Sequence, residues 1–142
     1  MLSSERGSIY RAILAGFIAL AFCFALLWPW YAKHRNEDEL AKATALGHAL
    51  AFAEESYKQN HGRYTAQFEQ LDLSLPCPVT ATSLGARLAC AHYVYYLEGD
   101  HMIKAEHQEL PIWLEIDIPA GTLTCKYAEN DWAGQDLCAR MK

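Results

Sequence analysis

The sequence lacks the short motifs of common catalytic and nucleotide-binding sites. It has no GxSxG elbow for a nucleophilic serine, no glycine-rich phosphate loop and no GxGxxG dinucleotide fingerprint. It has no CxxC pair either, which argues against a zinc ribbon and a thioredoxin-type redox motif. We therefore expect a protein that is not an enzyme and that needs no cofactor and no metal.

The chain also lacks an excess of positive charge. Its 142 residues include 12 Lys and Arg against 17 Asp and Glu, which gives a formal net charge of -5. Because binding to nucleic-acid phosphates needs basic side chains in excess, no nucleic-acid partner is expected. Most of the acidic residues follow position 40, so the sequence divides into an apolar N-terminal segment and an acidic soluble region long enough for one domain.

Charge is absent from residues 12–28, which read AILAGFIALAFCFALLW. Roughly 20 apolar residues cross a bilayer, and extension of the run through Tyr31 reaches that length. Trp28, Trp30 and Tyr31 are the amphipathic aromatics typical of a membrane boundary. We predict a transmembrane helix over residues 8–31. A cleaved secretory signal peptide is the alternative, although the run is long and bulky aromatics stand where signal peptidase needs small residues.

The cysteines indicate that the soluble region lies outside the cytosol. Cys23 falls in the apolar segment, and the other four are Cys77, Cys90, Cys125 and Cys138. An even number of cysteines in an oxidising compartment indicates two disulfides. Four cysteines allow three pairings, which the sequence leaves open; the local pairing, Cys77–Cys90 with Cys125–Cys138, encloses 12 residues in each loop.

Helical periodicity follows the membrane segment over residues 37–60. One apolar stripe consists of Leu40, Ala43, Leu46, Leu50, Ala53 and Tyr57. The polar residues assigned to the other faces are Lys42, His48, Glu54, Glu55 and Lys58. The pattern ends at Asn60-His61-Gly62, which is typical of a helix C-terminus. We expect both helical stretches to join through Pro29, where the helix should bend or loosen.

Beyond Cys90 the apolar pattern changes to period two. The strands predicted from it are 93–97, 102–106, 112–118 and 123–128. Ile112, Leu114, Ile116 and Ile118 share one face, so the sequence predicts a small antiparallel sheet of about four strands, covered by the helical stripe. Tyr93, Tyr95, Tyr96 and Trp113 are expected in the core.

Two further groups of side chains are weighed for function. His101, Glu106, His107 and Glu109 form a small cluster in the sequence, but their spacing matches no familiar ligand motif, so a solvated hairpin edge is expected. Trp132 lies between the last two cysteines. An aromatic residue on a closed loop is a typical binding anchor, which makes Trp132 a possible contact residue of the head.

Several motifs resemble those of type IV pilins and type II secretion pseudopilins. Arg6-Gly7 is similar to the end of a prepilin leader, and Pro29-x-Tyr31 is similar to the proline and tyrosine of the pilin helix. Residues 54–65, EESYKQNHGRYT, resemble the family's segment after the long helix, and residues 68–76, FEQLDLSLP, resemble its continuation. Cys125 and Cys138 resemble the pair that closes the C-terminal loop of pilins.

The resemblance implies an α+β fold, in which a long N-terminal helix packs on a small antiparallel sheet. It implies a leader over residues 1–7, cut between Gly7 and Ser8 by prepilin peptidase, a transmembrane helix over 8–31 and an extracytoplasmic head over 32–142 that includes the amphipathic helix 37–60. The implied function is a structural subunit of a type IV pilus or pseudopilus-like filament.

The implied assembly element is the hydrophobic N-terminal helix. Its expected assembly residues are Arg11, Ala12, Phe17, Phe22 and Phe24. The partners implied by the resemblance are other pilin subunits, prepilin peptidase, the inner-membrane assembly machinery and the lipid bilayer. The implied location is the bacterial inner membrane, crossed once, with the C-terminal head in the periplasm or outside the cell on a filament.

The chain departs from the family pattern just after the leader. The fifth residue after the cut is usually glutamate, but here it is Ala12, preceded by Arg11, and Ser8 replaces the usual phenylalanine. An intramembrane carboxylate needs a partner, and Ala12 cannot supply it. We therefore expect a minor or specialised subunit. The alternative is an uncleaved, membrane-anchored extracytoplasmic binding domain with a pilin-like fold.

Overall fold

The computed structural model describes residues 2–83 and 85–141, with side chains described from residue 9 onward. Helix α1 runs over Leu2–His61 and helix α2 over Trp132–Ala139, and Phe68–Gln70 forms a short 3-10 turn. The strands between the two helices are β1 (Val79–Thr82), β2 (Gly85–Cys90), β3 (Tyr93–Glu98), β4 (Met102–His107), β5 (Ile112–Asp117) and β6 (Thr122–Tyr127). The chain divides into two compact units, Met1–Glu37 and Asp38–Lys142.

The six strands form one antiparallel meander in the order β1-β2-β3-β4-β5-β6. Gly99 and Gly121 follow β3 and β5 with φ of 65° each, a left-handed conformation that glycine adopts without strain. The α+β class and the antiparallel sheet are confirmed. The expectation of about four strands was wrong, because β1 and β2 were missed. Strand β1 is almost wholly exposed and so carries no alternation of apolar and polar residues. Strand β2, with sequence GARLAC, alternates in burial but has no β-branched or aromatic residue.

The core of the second unit lies between the sheet and residues 40–57 of α1. Ile112, Leu114, Ile116 and Ile118 are all buried on the face of the sheet that the sequence predicts. The Tyr95 hydroxyl donates a hydrogen bond to the Ala43 carbonyl oxygen at 3.2 Å. A Cβ added at Gly47 would lie 3.0 Å from Ile116 Cδ1, so the helix approaches β5 closely at this residue.

Two expectations about burial were wrong. Tyr96 and Trp113 are only half-buried, because strand alternation places them on the face opposite to Tyr95 and Leu114. Glu54 was assigned to a polar helix face, but its residue is 0% exposed. It follows Leu50 by four residues, and positions i and i+4 share one face of a helix.

The structure pairs Cys77 with Cys90 and Cys125 with Cys138, at Cα–Cα distances of 5.3 and 5.5 Å. The second disulfide joins β6 to α2, an unpredicted helix that occupies much of the expected loop. A Cβ at Gly134 of α2 would lie 2.8 Å from Ile112 Cγ2 and 2.8 Å from Tyr127 Cβ. The absence of a side chain at Gly134 therefore lets α2 pack closely on the sheet.

Candidate functional site

The first unit presents apolar side chains on all sides of α1. Large apolar side chains between residues 9 and 31 are 51–74% exposed, Phe17, Phe22 and Phe24 among them. In the part of the chain that the structure describes, one helix is long and apolar enough to cross a membrane, with a mean hydropathy of 2.3 over its most apolar window. Two disulfides in the second unit indicate an oxidising, extracytoplasmic compartment for the head.

The structure locates the remaining residues of the predicted assembly helix. Arg11 and Ala12 are both exposed on α1. The helix assignment continues without a break through Pro29. The predicted leader begins at Met1, which lies outside the described residues, and side chains are described only after the predicted Gly7-Ser8 cleavage bond.

Trp132 begins α2 rather than lying in an irregular loop, and it is 79% exposed. The segment that carries it is held by the Cys125–Cys138 disulfide and by the packing of Gly134 on the sheet. Tyr127, at the end of β6, is also exposed. An exposed indole on a braced segment can bury a large apolar area at low entropic cost when it meets a partner.

A buried carboxylate ties the segment after α1 to the helix. Oε2 of Glu54 accepts a hydrogen bond from the backbone N–H of Thr65 at 2.9 Å. Its Oε1 has no hydrogen-bond partner among the described residues. Burial opposes the charged form and raises the pKa of Glu54 to about 7, although the hydrogen bond from Thr65 acts in the opposite direction.

Tyr64, beside Thr65, makes a second connection to the helix. Its hydroxyl donates to Glu55 Oε2 at 2.9 Å and accepts from Lys58 Nζ at 3.1 Å. The same ammonium group lies 4.4 Å from the centroid of the Tyr64 ring. Residues of the segment that resembles the pilin motif therefore hold the chain against the C-terminal turns of α1.

The sheet separates His101 and Glu106 from His107 and Glu109, although the sequence groups all four together. His101 is exposed, and Glu106 lies on the half-buried face, where its Oε1 accepts from the Tyr96 hydroxyl at 2.7 Å and lies 3.1 Å from Lys104 Nζ. These contacts, the Tyr96 hydrogen bond first, lower the pKa of Glu106. His107 points away from Glu106, because neighbouring residues of a strand face opposite sides.

His107 instead meets Glu39 and His92, neither of which was weighed as a site residue. His92 Nε2 lies 3.5 Å from Glu39 Oε1, and His107 Nε2 lies 4.0 Å from Glu39 Oε2. The two imidazole rings are stacked, with centroids 5.7 Å apart and planes 8° apart. Glu109 completes the group, since its Oε1 lies 3.7 Å from His92 Nδ1. We call Glu39, His92, His107 and Glu109 the histidine–carboxylate cluster.

One signal in the sequence places Glu39 near the core. It precedes Ala43 of the apolar stripe by four residues and so shares that face of α1. The position of His92 gave no comparable signal, because it lies in the turn between β2 and β3. The distance between His92 and Glu39 depends on the position at which α1 packs on the sheet.

A cavity of about 380 Å³ adjoins the cluster. Glu39, His92 and Tyr93 line it together with the Cys77–Cys90 disulfide. The Tyr93 hydroxyl is buried and has no hydrogen-bond partner in the described ranges. Burial, followed by the negative charge of Glu39, raises the pKa of Tyr93 to about 12, so this hydroxyl is protonated and available as a donor.

These features were compared with known proteins. No family model matches the chain, and neither the curated proteins nor the solved structures contain a significant match to it.

Proposed function

We propose that this chain is a structural subunit of a type IV pilus or pseudopilus-like filament, in a minor or specialised position. The observation that carries the proposal is the exposure of the apolar side chains of residues 9–31 on one long helix, in a chain that also folds a disulfide-braced α+β head. Such a helix needs an apolar surrounding that its own chain does not supply.

Two different surroundings cover the apolar side chains of this helix, one before assembly and one after it. Before assembly, lipid covers the apolar side chains, with the leader on the cytoplasmic side and the head outside the inner membrane. After removal of residues 1–7, sister helices replace the lipid. Because lipid is as apolar as leucine, this exchange depends on close packing, which small residues permit. The alanine-rich run and Gly16, whose Cβ position has no atom within 4 Å, suit such packing.

The sequence motifs support the same proposal. The Gly7-Ser8 bond is the expected site of prepilin peptidase, and the segment after α1 resembles the pilin segment at that place. In this chain Tyr64 and Thr65 of the segment bind Glu55 and Glu54 of the helix. These contacts give the motif a physical role, which is to fix the head to the helix that enters the filament. The partners are other pilin subunits and the inner-membrane assembly machinery.

The second candidate is an uncleaved, single-pass anchor for an extracytoplasmic binding domain. The observation that favours it is Ala12, which replaces the glutamate that pairs with a neighbouring subunit in pilins, next to the charged Arg11. On this alternative the apolar helix stays in lipid, and function resides in the head, with Trp132 as its exposed aromatic contact.

Leader cleavage distinguishes the two candidates. We would measure the intact mass of the unreduced, membrane-extracted chain from cells with and without prepilin peptidase. The filament proposal predicts loss of residues 1–7 only when the peptidase is present. Both candidates predict a mass lower by four hydrogens, because two disulfides form.

A matched pair of variants controls the cleavage measurement. Gly7→Leu should block cleavage, whereas Gly16→Leu, inside the apolar run, should leave it unchanged. If the full-length chain is recovered in both strains, the filament proposal fails and the anchored domain remains. Cleavage followed by crosslinking between cysteines introduced at Phe17 and Phe22 of different subunits would support assembly through the helix.

A further inference from the structure

We propose that Trp132 of one copy of this chain docks in a groove beside Phe52 on α1 of a second copy. The groove lies between residues 49–61 of α1 and residues 70–73, and we call it the Phe52 groove. The inference rests on the proposed filament role, because one aromatic contact holds two heads together only when other contacts already keep the copies close. It names the surfaces through which successive heads meet.

The Phe52 groove follows one face of the helix. Its helical residues recur at spacings of three and four, which places them next to one another along α1. Phe52 is 79% exposed, whereas Ala53 beside it is buried and Leu73 on the opposite side is half-buried. The groove has a volume of about 440 Å³, which is within the range of ligand pockets and accommodates an indole ring.

Two aromatic rings at one end of the groove are held in place by their own chain. The rings of Tyr57 and His61 are stacked, with centroids 4.0 Å apart and planes 13° apart. The Tyr57 hydroxyl donates a hydrogen bond to Gln70 Oε1 at 3.1 Å, across the groove. Because these rings are already ordered, a partner that stacks against them loses little affinity to the ordering of side chains.

Trp132 has the shape and the hydrogen-bonding group that the groove can receive. Its residue is 79% exposed on the segment braced by the Cys125–Cys138 disulfide. The indole N–H is a donor only, and a tryptophan that becomes buried usually finds an acceptor for it. Asp72 lines the groove and is exposed, so we assign its carboxylate as the acceptor in the docked state.

The charges beside the two surfaces favour a second copy as the occupant. Arg63 follows the helical residues of the groove, and Glu129 precedes Trp132 by three positions. Both are exposed, and neither has an ion-pair partner within residues 2–83 and 85–141. Lys126 and Arg140, the basic residues that flank Trp132 in the sequence, are paired with carboxylates of their own chain. The uncompensated charges are therefore opposite in sign, which steers one surface toward the other.

The contact joins two different surfaces, so it is heterologous. Each copy presents one groove and one Trp132, and a copy that fills its neighbour's groove leaves its own groove open to the next copy. Contacts of this kind propagate into rings or open filaments, whereas a contact between identical surfaces closes a dimer. A second copy in the groove thus fits a chain that assembles into a filament.

Photo-crosslinking from inside the groove tests the contact. A benzophenone amino acid replaces Ser56, an exposed lining residue, in the full chain expressed together with its assembly machinery. After illumination of intact membranes, we expect a product of two chains in which a peptide from residues 127–140 is attached at position 56. The same probe at Ala45, which is exposed on α1 outside the groove, should not yield this product.

Substitutions on both surfaces sharpen the measurement. Trp132→Ala and Phe52→Ala should each lower the yield of the product about tenfold, because central aromatic anchors carry much of the binding energy of a contact. Arg63→Glu should lower it about threefold, as expected for an exposed ion pair, and Glu129→Arg in the same chain should restore it. Thermal unfolding and unreduced intact mass establish that each variant folds with both disulfides.

The outcomes separate this contact from the filament role. Crosslinks between helices at Phe17 and Phe22, without the product from residues 127–140, would overturn the head contact and leave the filament role standing. Loss of both kinds of crosslink would overturn both. A product that survives Trp132→Ala, or a different protein attached at position 56, would also overturn the docking of a second copy. Failure of Glu129→Arg to restore the yield would overturn the assigned charge pairing.

Discussion

Residues 9–31 and residues 40–57 belong to the same helix, but they differ in whether the chain itself covers their apolar side chains. In the first segment every large apolar side chain is at least 51% exposed, and apolar residues occur on all sides of the helix. In the second segment Leu40, Ala43 and Leu50 are buried against the sheet, and most exposed positions are alanine or polar residues. The two segments differ in the periodicity of their apolar residues.

The difference shows how two segments of one helix can suit two environments, the packed head and an apolar surrounding. An apolar stripe with a period of 3.6 residues is covered by a single partner surface, which the chain's own sheet provides. A helix that is apolar all round needs lipid or several neighbouring helices. Phe52 is the exception in the second segment, since it is 79% exposed although Leu50 and Ala53 beside it are buried.

The largest expected effect contrasts these neighbours. Leu50→Ala should lower the free energy of unfolding of the head by about 4 kcal/mol, because it removes a fully buried side chain and leaves a cavity. Phe52→Ala should change it by less than about 1 kcal/mol, although the removed side chain is larger. Denaturant unfolding of the chain in micelles measures both. Equal losses would show that Phe52 is covered in the folded chain.

An added positive charge should reduce membrane insertion when it is placed in the first segment but not when it is placed in the second. Leu20→Arg should disfavour insertion by about 3 kcal/mol, because arginine is costly at the centre of a membrane helix. Ala45→Arg, at an exposed position of the head segment, should insert like the unchanged chain. Resistance to alkaline extraction from membranes measures insertion. An unaffected Leu20→Arg would place this segment outside the bilayer.

Glu54 makes the head segment sensitive to pH. Its pKa is raised from 4.5 to about 7 on folding, so the folded head binds more protons than the unfolded chain between these values. The contribution of Glu54 to stability is therefore fully present below pH 4.5 and is lost as the pH rises through about 7, by roughly 3 kcal/mol at most. Glu54→Gln should abolish this contribution. The test is the difference between the pH profiles of unfolding for the two proteins, and identical profiles would contradict the assignment.

The smallest effects concern the two close glycine contacts. Gly134→Ala should destabilise the head by about 1–2 kcal/mol, because the new Cβ would meet Ile112 and Tyr127 at 2.8 Å near the sheet backbone. Gly47→Ala should be nearly neutral. Its Cβ meets only the movable end of Ile116, and alanine favours the helix by about 1 kcal/mol over glycine. Thermal unfolding distinguishes them, and the reverse order would show that β5 is rigid beneath Gly47.

Local pattern was sufficient for much of the fold. The alternation in Ile112–Asp117 and the stripe from Leu40 to Tyr57 each repeat over several residues, so they predicted strand β5 and the buried helix face. The local pattern failed for β1, which is exposed, for β2, which has no β-branched or aromatic residue, and for α2, which has eight residues and contains Gly134. Helices this short are unstable alone, so α2 depends on its packing and its disulfide.

The sequence by itself determined which parts could face lipid, which face of the second helical segment is apolar and how many disulfides to expect. These properties depend on residue types and on spacings of a few positions. Only the tertiary structure decided that Glu54 is buried and that Glu39 meets His92 and His107. Those contacts join residues far apart in the chain. Their geometry depends on the position of α1 on the sheet, which is fixed by contacts such as the Tyr95–Ala43 hydrogen bond and the close approach of Gly47 to Ile116.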